Sequence, residues 1–152
     1  MMKSSHIELE REVITNLMLR IVLDTNVLVS AVIAKGKPRD LLRLAIQRRY
    51  LLIKSEETIE EFVQVLQRPK FKRTRSEVTK AKNVLVKTGK TIRVTSKRRV
   101  VDEDPDDDIF INTALDGNAD YIVSGDPHLL SLSNYKGIEI VTVDDMLKKF
   151  GY

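Results

Sequence analysis

Four acidic stations lie far apart in this chain: Asp24, the pair Glu60–Glu61, the run Asp106–Asp107–Asp108, and Asp126. Brought together, they could hold a cation. Each also has an ordinary structural role. Asp24 closes the strand-like run "RIVLD" and can cap a helix starting at Thr25 or Asn26. In "TIEEFVQVLQRP", Ile59, Phe62, Val63 and Leu66 repeat at i, i+3, i+4, i+7 and mark a buried stripe. Glu60 falls on the wet side with Gln64 and Gln67. Glu61, one turn before Val65, borders the apolar surface and is the better candidate for a half-buried working acid.

In "DEDPDDDIFINTAL" six of seven residues from Asp102 to Asp108 are acids, more than capping a helix requires. They repel one another unless a cation or a basic surface offsets them. Asp107 shares a helical face with Ile111 and Ala114, and Asp108 is rotated by about 100°. Asp107 is therefore the expected site acid. Asp106 is read as the cap and Asp108 as a solvent-facing or supporting acid. Asp126 follows Gly125 and precedes Pro127, a helix start where it can again be a cap, and Ser124 can hydrogen-bond a carboxylate or a metal-bound water.

Three or four carboxylates without His or Cys favour a hard ion such as Mg²⁺ or Mn²⁺. Such an ion activates water and stabilises charge on phosphate during in-line displacement. The chain has no cysteine and two histidines, His6 and His128, which excludes thiolate zinc and Cys-nucleophile chemistry. Arg68 to Arg99 holds 13 of the 26 Lys and Arg residues and one acid, Glu77. A basic stretch beside an acidic cluster fits a polyanion held near a cation. A solvated helix face beside an acidic loop explains the same charges.

Elements must bring these acids to one place. The pattern reads as a helix in the first 19 residues, then strands at 20–24, 50–54, 91–95, 120–124 and 138–142. Helices fill the intervals, including 26–34, 38–49, 56–67, 76–87 and 106–116, with a short turn of helix after Asp126 and a last helix from Val143. Alternation without an Asn-Gly hairpin signal predicts an α/β fold with a mainly parallel sheet. Ligands of such sheets sit beyond the strand C-termini, where strand order reverses. If the strands ending at Asp24 and Ser124 are neighbours, Asp24 and Asp126 meet there. At 152 residues the chain fits one domain. No apolar run reaches the roughly 20 residues of a membrane span. The acidic N-terminus lacks an export signal, so a cytoplasmic location is expected.

The segments "IVLDTNVLVSA", "EEFVQVLQRPKF", "DPDDDIFINTAL" and "ADYIVSGDPHLL" together resemble the PIN domain, a family of metal-dependent ribonucleases. They look most like its prokaryotic toxin–antitoxin branch, related to the VapC toxins. The four motifs occur in the family's order and cover the chain from Arg20 onward. The resemblance implies a three-layer α/β/α sandwich with a parallel five-stranded sheet in the order 3-2-1-4-5. It places the family's catalytic, metal-binding acids on Asp24, Glu61, Asp107 and Asp126. Asn26 and Ser124 take the supporting polar positions, with Asp108 beside them.

RNA is then the substrate, Mg²⁺ or Mn²⁺ the cofactor, and Arg68, Lys70, Lys72 and Arg73 candidate contacts to the nucleic acid. A cognate antitoxin and a homodimer are the implied partners. Residues 20–152 form the nuclease domain. Residues 1–19 are an extension before the family's usual start, expected to be a helix ordered by packing, against a second subunit. A second reading is a catalytically weak nucleic-acid-binding or antitoxin-interaction module on the same scaffold. A phosphatase of the haloacid dehalogenase type also begins with a strand-end Asp but wants a second Asp where this chain has Asn26.

Overall fold

A computed structural model describes residues 2–101 and 107–152, with the side chains of residues 2–5, 12, 15 and 16 also outside the description. The expected cap Asp106 lies outside the described residues. The chain runs α1 (Met2–Leu17), β1 (Arg20–Leu23), α2 (Thr25–Ile33), α3 (Lys37–Ile46), β2 (Leu51–Ser55), α4 (Glu56–Leu66), a 3₁₀ turn (Pro69–Phe71), α5 (Arg75–Lys87), β3 (Lys90–Ile92), α6 (Asp108–Asp116), β4 (Tyr121–Val123), α7 (Pro127–Leu132), β5 (Asn134–Tyr135), β6 (Ile138–Val141) and α8 (Val143–Lys149).

The sheet order is β3-β2-β1-β4-β6-β5. All neighbours are parallel except β5 and β6. The expected five-strand order is present, with β6 as its fifth member and a two-residue strand added at the edge. Side chains along a strand alternate between faces. Ile21 and Leu23 therefore enter one core with α2, α3, α4, α5 and α8, while Val22 enters a second core with α6 and α7. Leu52 and Ile53 divide in the same way, as do Val123 and Ile122. Apolar residues on both faces of β1, β2 and β4 require helices on both sides, which gives the three-layer sandwich. Among the described residues no helix is long and apolar enough to cross a membrane.

Two elements differ from the sequence pattern. The strand expected at 91–95 ends at Ile92, because the chain then leaves β2 and follows α6. Strands β5 and β6 form a hairpin whose two loop residues, Lys136 and Gly137, both have positive φ, 49° and 84°. That is the φ signature of a type I′ turn with lysine in the place usually taken by Asn or Asp, so the familiar signal was missing. In α1, Ile7, Leu9, Val13, Ile14 and Leu17 expose 48–81% of their surface. Among the described residues nothing covers these side chains.

Gly89 fixes the entry into β3. Its φ is +72°, and a Cβ there would stand 2.0 Å from the Leu52 carbonyl oxygen. Gly89→Ala is expected to cost at least about 2 kcal/mol, read as a lower urea midpoint. An unchanged midpoint would show that the turn relaxes freely.

Candidate active site

β1 and β4 lie side by side, with the remaining strands on either flank, so the strand order reverses between them. The ladder runs on past β1: the Asp24 amide donates to the Val123 carbonyl at 3.0 Å. This register sets Asp24 beside Ser124 just beyond the strand ends. Both carboxylate oxygens of Asp24 are engaged. Oδ1 accepts from the Val27 amide at 2.9 Å and caps α2, and Oδ2 accepts from the Ser124 hydroxyl. Ser124 Oγ in turn accepts from the Asp126 amide at 2.9 Å. One buried serine thus ties Asp24 to the backbone that carries Asp126. Asp126 Oδ1 caps α7 through the His128 amide at 2.7 Å. Asn26 is exposed and shares a shallow groove with Ser124 and Gly125.

Glu61 is carried by α4, which packs in the same core as α2, and Asp107 by the start of α6, which packs in the core on the other face. Ser55 caps α4 in a reciprocal pair with Thr58, accepting from the Thr58 amide at 3.2 Å, while Thr58 Oγ1 accepts from the Ser55 amide at 2.9 Å. The same Ser55 hydroxyl is 2.9 Å from Thr113 Oγ1 on α6. All three residues are buried. This hydroxyl cluster locks α4 to α6 and so fixes the helix of Glu61 relative to that of Asp107. Glu60 is exposed, with Gln64 Nε2 3.5 Å from its Oε1, whereas Glu61 is half-buried and its Oε2 is closed off from solvent. Asp107 holds the N-cap position of α6 but its side chain makes no capping bond, and its Oδ2 is also closed off from solvent. A groove of about 480 Å³ opens over Glu57, Glu60, Glu61, Arg68 and Ile109.

Asp108 faces neither solvent nor this groove. It is buried, and its Oδ1 accepts from the amides of Val100 and Val101 at 2.9 and 2.8 Å. Asn112 and Asp116, which the sequence did not single out, do the same one and two turns further on. Their spacing from Asp108, i+4 and i+8, was the available signal. Of the basic candidates, Arg68, Lys70 and Lys72 are exposed. Arg73 is engaged inside the fold, donating to the Ile33 carbonyl and to Glu77 Oε2, both at 3.3 Å. That engagement favours a packing role over contact with nucleic acid.

The donors suit a hard cation. Burial holds the Asp24 carboxyl above its ordinary range, with nearby Asp126 raising it further, against the lowering bonds from Ser124 and Val27. Thr25 Oγ1, beside it in sequence, is buried without a hydrogen-bond partner among the described residues. A desolvated carboxylate with a second acid nearby and an unpartnered hydroxyl oxygen is what a positive charge would stabilise. Among the described residues, however, no three acid or histidine side chains stand close enough together to hold a metal ion. Asp24 and Asp126 come together; Glu61 stands on α4 and Asp107 at the start of α6.

The family model described as "PIN domain" matches residues 20–128. Among solved structures the chain is similar to PAE2754 from Pyrobaculum aerophilum, with 15% sequence identity, coverage of 86% of this chain and 88% of that one, and a TM-score of 0.58. At that identity the likeness concerns the fold alone. A comparison with curated proteins finds no match.

Because the folded Asp24 pKa is raised, the stability it contributes is full below the ordinary value of 3.8 and is lost as pH climbs through the folded value. Asp24→Asn keeps the cap and removes the buried charge. In chelator at pH 7 the variant is expected to melt above the wild type, the gap closing as pH falls through the folded value and gone below 3.8. A wild type that is the more stable of the two at pH 7 would contradict this account.

Proposed function

This chain belongs to the PIN domain family, and from that premise we propose that it is a Mg²⁺- or Mn²⁺-dependent endoribonuclease of the toxin type. PIN domains are in general metal-dependent nucleases acting on RNA or DNA. The observation that carries the reading is the buried Asp24–Ser124–Asp126 bridge at the point where strand order reverses. Asp24 and Asp126 would hold the cation, with Glu61 and Asp107 completing the donor set. When bound, the ion supplies an activated water and offsets charge on the scissile phosphate. Ser124 orients Asp24, and the hydroxyl cluster of Ser55, Thr58 and Thr113 keeps Glu61 and Asp107 in register. Arg68, which lines the same groove as Glu61, would meet the substrate backbone.

A cognate antitoxin, a homodimer and a cytoplasmic location belong to the same proposal. An apolar groove of about 510 Å³ between α2, α3, α4 and α5, floored by Leu28, Leu42 and Val84 and rimmed by Arg39, Arg43 and Lys80, is the surface this reading gives to an acidic amphipathic segment of the antitoxin. The exposed apolar side chains of the 1–19 extension are the surface it gives to a second copy. The alternative, a weakly catalytic binding module, is favoured by one observation: the described acids do not form a closed metal set.

Cleavage separates the two readings. Purified protein with Mn²⁺ or Mg²⁺ is expected to cut RNA, and chelator to stop it. Asp24→Asn and Glu61→Gln are each expected to lower the rate by a hundredfold or more, on the order of 3 kcal/mol in transition-state stabilisation. Protein that cuts no RNA, or variants that cut as fast as the wild type, would leave only the binding module.

A further inference from the structure

After Ile92 the chain abandons the sheet, yet five of its amides find side-chain acceptors on α6. Asp116 Oδ2 accepts from the amides of Thr95 at 2.6 Å and Ser96 at 2.8 Å, and its Oδ1 accepts from the Ser96 hydroxyl at 2.5 Å. Asn112 grips Arg98 at two points, accepting from its amide at 2.9 Å and donating to its carbonyl at 3.1 Å. Asp108 takes the amides of Val100 and Val101. The three α6 residues are four apart, a rise of about 6 Å. Ser96, Arg98 and Val100 are two apart, about 6.6 Å in an extended chain. The two repeats match, so one face of α6 serves as a substitute neighbouring strand and holds residues 95–101 as a strap. Val101, buried in the second core, pins its far end.

The strap carries Lys97, Arg98 and Arg99, consecutive and exposed. Two carboxylates stand directly beneath them, yet both are committed to amides and a hydroxyl, and none of the three cations has an ion pair among the described residues. The hydrogen bonds from Ser96 and Thr95 hold Asp116 below the usual carboxylate range, so it stays an acceptor. A loose basic loop would fold onto those acids. This one is held so that, among the described residues, its positive charge has no ion partner, and the held end lies against the start of α6, where Asp107 stands.

We infer that Lys97, Arg98 and Arg99 form a fixed track for the phosphodiester backbone of a single-stranded nucleic acid, kept in register beside Asp107 by Asp108, Asn112 and Asp116. The inference rests on the nuclease reading for its choice of ligand. Binding to nucleic acid comes from the phosphates, and each neutralised phosphate on a single strand contributes about 0.7 to the salt slope. Asp108, Asn112 and Asp116 are positioning residues: they touch the strap, and the strap touches the ligand.

The test is binding of a labelled single-stranded RNA in chelator, where cleavage cannot intervene, across a salt series. Replacing Lys97, Arg98 and Arg99 together by Ala is expected to weaken binding tenfold or more and to reduce the log–log salt slope by about 2. Asp116→Ala is the sharper variant. It removes a negative charge, so simple charge attraction predicts tighter binding; loss of register predicts binding weaker by threefold or more. Glu139→Ala, an exposed acid on β6, is the charge-matched control and should not weaken binding. Asn112→Leu removes the central grip with no change of charge and should weaken binding as Asp116→Ala does.

The proposal is overturned if the triple variant binds as the wild type does, or if Asp116→Ala binds as tightly as Glu139→Ala. Because all three strap cations are exposed, the triple variant stays informative even if the α6 variants unfold. Single-stranded DNA of the same sequence is the second arm: equal binding assigns the track to phosphate alone, and preference for RNA adds contact with the 2′-hydroxyl. Wild-type protein that binds RNA but never cuts it with Mn²⁺ removes the nuclease reading and leaves the track standing. Wild-type protein that binds neither strand removes the track.

Discussion

The site depends on two distant strands lying in a fixed register. β1 and β4 are about a hundred residues apart in the chain, yet Ile21, Val22 and Leu23 pair directly with Tyr121, Ile122 and Val123. The ladder then continues one step past β1, from the Asp24 amide to the Val123 carbonyl, before α2 begins and the chain beyond Ser124 turns toward α7. A slip of one residue would turn every side chain to the opposite face, moving Val22 into the wrong core and parting Asp24 from Ser124. Burial of both faces of β1 makes that slip expensive. Hydrophobic packing thereby sets the position of a polar pair that packing alone would not favour.

Asp24 carries two loads that conflict. As a cap it stabilises α2 through the Val27 amide, and as a buried carboxylate near Asp126 it is costly to ionise. The serine hydroxyl offsets part of that cost without removing it. A fold selected for stability alone would place Asn at this position. An acid there, with a second acid close by, is what the proposed cation site asks for.

The sequence made much of this legible, for reasons that can be named. Asp24 and Asp126 announce helix starts because an oxygen-bearing side chain before a helical pattern has one common use. Glu61 stood out from Glu60 because the 3.6-residue period sorts a helix into wet and dry sides. Gly117 follows α6 with a φ of −88°, open to any residue; the reason for glycine is that a Cβ would press to 2.4 Å from Ile53 Cγ2. The interactions that escaped are tertiary. Nothing local says that Arg73 will reach the Ile33 carbonyl, that Thr113 will meet Ser55, or that a helix face will replace a strand for residues 95–101. Asp108 looked like surplus charge for the same reason, since its amide partners lie in a segment that reads as ordinary strand and loop.

The early departure of the chain from the sheet also protects the molecule from its own kind. An edge strand offers a row of unpaired amides and carbonyls to any passing extended chain. Here β3 has three residues and β5, at the opposite edge, has two. Had the run "TIRVT" stayed in the sheet, a longer and β-branched border would stand open to stacking against another copy. By spending those amides on the side chains of α6, the fold keeps the β3 border too short to seed aggregation.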